Sequence, residues 1–61
     1  MATGLSAGPR LMDDHLAVLR ERAEYLDLRI EAKQTLGWDT IWDSRELAAL
    51  QWAIGELEAA A

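Results

Sequence analysis

The sequence predicts an all-α fold, an antiparallel helical hairpin. Three observations predict it. Apolar residues recur in steps of three and four along two separate stretches. A glycine, Gly37, closes the longer stretch, and a run of turn and cap residues follows it. Nowhere does a polar and apolar alternation of the strand type appear.

Residues 1–8, MATGLSAG, are small and polar with two glycines. They read as a flexible N-terminal tail, which leaves 9–61 as a single helical-hairpin domain. Pro9 suits a first helical turn, where its missing N–H costs nothing. Asp13 and Asp14 lie near that end, where they complement the helix dipole. The spacing then predicts a long helix over about 10–36. Met12, Leu16, Leu19, Ala23, Leu26 and Ile30 form its main stripe. It has roughly 27 residues, about 40 Å at 1.5 Å each. Gly37 ends it as a left-handed residue.

The corner is expected over 37–43, within the run LGWDTIWDS. Asp43 is an N-cap candidate, and Glu46 three residues later completes a capping box. Trp42 and Leu47 then have the spacing of a hydrophobic staple. Trp38 follows Gly37, where a Schellman turn folds an apolar residue back on the helix it ends. Trp38, Ile41 and Trp42 are therefore expected to plug the corner. A ligand-binding aromatic pair is the rarer alternative.

The shorter helix is expected over about 44–60. Leu47, Leu50, Ile54, Leu57 and Ala61 form a stripe that can face the first helix. A second stripe holds Ala48, Trp52, Gly55 and Ala59, with Trp52 about 200° around the axis from Leu50. A helix apolar on both sides is normally buried on both sides, and one hairpin partner cannot do that. Gly55 costs about 1 kcal/mol of helix propensity relative to Ala, which close packing would recover. The plainer alternative is one exposed Trp among alanines chosen for helix propensity.

Size adds to this argument. A chain of 61 residues buries only about 60% of the surface its unfolded chain exposes and is marginal alone. It has no cysteine and one histidine, so disulfides and an ordinary zinc site are not expected. Oligomerisation remains. The first helix also carries a second apolar arc of Leu11, Val18, Tyr25, Leu28, Ala32 and Leu36. It exceeds the second helix by about 10 residues, or about 15 Å. That overhang holds Leu11, Met12, Leu16, Val18 and Leu19. Two hairpins covering each other's overhangs would make a homodimer, a symmetric four-helix bundle. The expected interface is Trp52, Ala48, Gly55 and Ala59 with Leu11, Met12, Leu16 and Leu19.

Little in the sequence suggests chemistry. Asp13, Asp14 and His15 are adjacent, so on a helix they diverge by about 100° each and cannot converge on one ion. His15 fits a structural role opposite a carboxylate of another helix. Arg22 and Arg29 flank the main stripe and are expected to bridge to Glu56 or Glu58, or to a partner. No catalytic residues, cofactor or metal site are expected, and the chain does not read as an enzyme. The net charge of −5 argues against direct nucleic-acid binding. Glu21, Glu24, Asp27 and Glu31 are mostly a solvated face, or else an acidic docking strip for a basic partner. A helix-turn-helix is disfavoured by the long connection and the acidic second helix. No apolar run is long enough for a membrane span, and the N-terminus lacks a secretory pattern. A cytoplasmic location is expected.

Residues 19–60, with the Arg/Glu/Ala-rich first helix, the GWD corner and the RELAALQWAI second helix, resemble small uncharacterised helical proteins of actinobacteria and their bacteriophages. That resemblance implies a phage protein that binds and redirects a protein of the host cell, and it carries no catalytic residue. The function expected is a small non-enzymatic, self-associating protein–protein interaction module. The alternatives are an acidic inhibitor or DNA mimic that binds a nucleic-acid-binding protein, and a virion structural or assembly component.

Overall fold

The computed structural model describes the backbone of residues 3–60 and the side chains of residues 13–60. Two helices form the hairpin, α1 (Thr3–Leu36) and α2 (Ile41–Ala60), and no strand occurs among the described residues. They pack against each other and run antiparallel: Arg20, midway along α1, meets Glu58 late in α2, and Arg29, nearer the end of α1, meets Asp43 early in α2. The body measures 54 × 19 × 12 Å, two helices wide and one deep.

Both helices start earlier than their sequence signals. α1 begins at Thr3, so residues 3–8 are helical where a tail is expected. The helical backbone continues through Gly4, Gly8 and Pro9, against the local preference of all three. Pro9 stands in the seventh helical position rather than the first turn.

The turn after α1 is a Schellman motif, as its spacing predicts. Gly37 has φ +75°. Its N–H donates to the Gln34 carbonyl at 3.1 Å, and the Trp38 N–H donates to the Lys33 carbonyl at 2.7 Å. These two bonds satisfy carbonyls that a helix end otherwise leaves free.

α2 starts at Ile41, not at 44. The Thr40 carbonyl accepts the Ser44 N–H at 2.8 Å, which makes Thr40 the N-cap. The Asp39 carboxylate accepts the Ile41 N–H at 2.9 Å and satisfies one of the free donors. The expected cap, box and staple therefore do not form. Asp43 is the third residue of α2, and Glu46 bonds Arg22 instead of closing a box.

This shift also undoes the expected corner plug. Trp38 is 61% exposed, Ile41 57% and Trp42 73%. With Ile41 and Trp42 already helical, the period of α2 sets their directions. Ile41 points away from α1, and Trp42 points about 90° aside.

The core is small. Among the described residues Leu16 and Leu26 are the buried apolar side chains, and α2 buries no residue fully. Half-buried Leu19, Ala23 and Ile30 on α1 meet half-buried Leu47, Leu50, Ala53, Ile54 and Leu57 on α2. Apart from Ala53, these belong to the two stripes that the sequence sets face to face. Leu16 belongs to this core and not to a bare overhang. The reason is length: α2 has 20 residues, about three more than expected, and so reaches further back along α1.

Candidate protein-interaction site

Ion pairs define one broad face of the hairpin. The Arg22 guanidinium grips Glu46, with Nε at 2.7 Å and Nη2 at 3.1 Å from its oxygens. Arg29 Nε lies 3.0 Å and Lys33 Nζ 2.8 Å from Asp43 Oδ2. Arg20 pairs with Glu58 on the opposite broad face. Arg22 and Arg29 thus bridge to Glu46 and Asp43 rather than to Glu56 or Glu58. By helical period Glu46 flanks the Leu50 and Ile54 stripe that faces α1, and the earlier start of α2 brings Asp43 into register with that stripe.

These contacts shift the carboxylates. Lys33 against Asp43, with Arg29 adding, holds that carboxyl below its ordinary value, although partial burial opposes the shift. Arg22 does the same for Glu46, chiefly through its hydrogen bond. Arg22 also lies over the Tyr25 ring at 5.2 Å, and Arg29 donates to the Tyr25 hydroxyl at 3.3 Å.

Large apolar side chains flank this charged face. Val18 is 62% exposed, Tyr25 50% and Leu36 61%, all on the second arc of α1. Leu28 lies further round the same arc and is exposed. The arc is legible in the heptad spacing of residues 18, 25 and 32, and of these the sequence places only Val18 in the overhang expected to meet a partner. Trp42, on α2, borders the same face.

The outer edge of α2 carries the other apolar surface. Trp52 is 69% exposed, and Ala48, Gly55 and Ala59 beside it are exposed. These four expected interface residues share one face, opposite the stripe that meets α1. The α1 set is not brought to that face. Leu16 is buried, Leu19 is half-buried, and the side chains of Leu11 and Met12 lie outside the described residues.

No family model, curated protein or solved structure matches the chain.

The remaining candidates are scattered. His15 is exposed, with no carboxylate paired to it among the described residues. Glu21, Glu24, Asp27 and Glu31 are exposed and carry no ion pair among the described residues. Among the described residues no pocket is present, and no group of three His, Cys, Asp or Glu is placed to hold a metal ion. No helix of the described residues is long and apolar enough to cross a membrane.

Proposed function

We propose that this chain is a small non-enzymatic protein–protein interaction module that self-associates as a homodimer. The observation that carries the reading is the imbalance between core and surface. Among the described residues two leucines are buried, while eight large apolar side chains are at least half exposed. The exposed surface is 4846 Å² for a 6.8 kDa chain. A compact monomer of that mass exposes about 3,950 Å². The elongated two-helix body therefore exposes more surface than a compact monomer of its mass. A body one helix deep cannot cover such surface by itself.

The dimer has four helices. Mutual covering of bare overhangs, the sequence-based route to a closed bundle, is weakened by the burial of Leu16 within its own hairpin. The α2 edge around Trp52 is the surface that remains intact from that expectation.

Sedimentation equilibrium on the whole chain tests the reading, with Trp52→Glu alongside. The wild type is expected to dimerise and the variant to dissociate. A folded wild type that stays monomeric at high concentration overturns it.

A second reading is favoured by one feature. Glu24, Asp27 and Glu31, at helical spacing, put three carboxylates on one face of α1, each without an ion-pair partner among the described residues. Such a strip suits a basic protein partner. Reversing those three charges would abolish salt-sensitive binding to such a partner while leaving the dimer intact.

A further inference from the structure

We infer that two copies associate through an antiparallel α2–α2 seam, with the two-fold axis level with Leu50. This inference rests on the self-association reading and names the surface that performs it.

Ile41, Arg45, Ala48, Trp52, Gly55 and Ala59 recur in steps of four and three along the outward edge of α2. That is the spacing of a two-helix seam. All six are exposed in the protomer. In an antiparallel pair about a two-fold axis, each residue meets another at a mirrored height, and both contacts occur twice. With the axis level with Leu50, every layer joins a large side chain to a small one. Ile41 meets Ala59 of the second copy, Arg45 meets Gly55, and Trp52 meets Ala48. No side chain of the stripe is left without a counterpart, and no two bulky groups collide.

Charge selects the same alignment. Among the described residues, Arg45 is the arginine with no carboxylate partner, and Glu56 has no cation. Arg45 instead lies over the Trp42 ring at 4.9 Å. Arg45 and Glu56 sit within about 20° of each other around α2. A two-fold axis across the seam brings like flanks of the two helices together. Arg45 then stands about one residue, or about 1.5 Å of rise, from the level of Glu56 on the second copy. Two intermolecular ion pairs follow at the rim of the seam.

Gly55 gains a reason in this arrangement. A Cβ built there meets nothing within 4 Å, so packing inside the protomer does not require a glycine. Its conformation does not require one either, because Gly37 is the glycine with positive φ among the described residues. In the seam, Gly55 leaves room for the stem of Arg45 from the second copy. The broad face around Tyr25 is a poorer site for self-association. Docking there would bury the Arg22–Glu46 and Arg29–Asp43 pairs, and desolvating charges is costly. Among the described residues the α2 edge carries no ion pair of its own protomer.

The test is a charge exchange on the whole chain, read by sedimentation equilibrium. Arg45→Glu and Glu56→Arg should each raise the dimer Kd by about tenfold or more, because each sets like charges together. The double variant should return to within about threefold of the wild type. Gly55→Leu should keep or raise the helical signal and still raise the Kd by about tenfold or more. A wild-type dimer indifferent to the single changes, or a double variant that does not recover, overturns the seam and leaves self-association standing. A wild type that never dimerises overturns both.

Discussion

The Asp43 carboxylate of α2 lies 2.8 Å from the Lys33 ammonium in the last turn of α1. Its side chain is 12% exposed, the most enclosed charge among the ion pairs. Arg29 reaches the same oxygen at 3.0 Å. One acidic group therefore ties the start of α2 to two successive turns of α1. Asp43→Asn leaves both cations without their anion. Thermal melts should show a clear loss of stability, larger than for Glu46→Gln, whose pair is about half exposed and worth less. Equal melting of the two variants would remove the special role of Asp43.

The same pairs predict acid sensitivity. Asp43 and Glu46 both have their folded-state pKa lowered by cationic neighbours. A carboxyl lowered on folding stabilises the hairpin fully above its unfolded value, near 4. That contribution fades as pH falls through the unfolded and then the folded value. Helical signal at 222 nm should therefore hold from neutral pH down to about 5 and fall below about 4. In Asp43→Asn the decline should be shallower. An unchanged acid transition in that variant would count against the assignment.

Leu26 is fully buried, at 0% exposure. Leu26→Ala should cost about 2–5 kcal/mol through lost burial and an unfilled cavity. For a core this small, that is enough to populate the unfolded state. Leu28→Ala, on the exposed arc, should change stability by less than about 0.5 kcal/mol. Urea unfolding of the two variants separates core from surface on α1.

Gly37 holds the turn at φ +75°, where a Cβ would meet no atom within 4 Å. The penalty of Gly37→Ala is therefore conformational and not steric, about 1–2 kcal/mol. Gly55→Ala should do the reverse in the protomer. It adds helix propensity of about 1 kcal/mol at an open position. Measured at concentrations below the dimer Kd, the two alanine variants should shift the melting temperature in opposite directions.

Which stripes face each other follows from the sequence alone. Leu16, Leu26 and Ile30 on one helix, and Leu47, Leu50 and Ile54 on the other, are set by a 3.6-residue period that no distant contact alters. The Schellman turn is equally local, because only glycine takes the left-handed conformation at little cost. The exposed α2 edge at Trp52 is legible for the same reason, since it is the side left over once the other stripe meets α1.

Only the tertiary structure decided where each helix begins and which charges pair. Asp39, Thr40 and Asp43 are all competent caps, and their side chains differ little in intrinsic capping strength. What separates them is the neighbouring helix. With α2 starting at Ile41, Asp43 reaches Lys33 and Arg29, and Ile41 and Trp42 turn outward. A one-dimensional reading weighs each cap by itself. Pairing across the hairpin depends on the relative rotation and height of two helices, which exist only once they have packed.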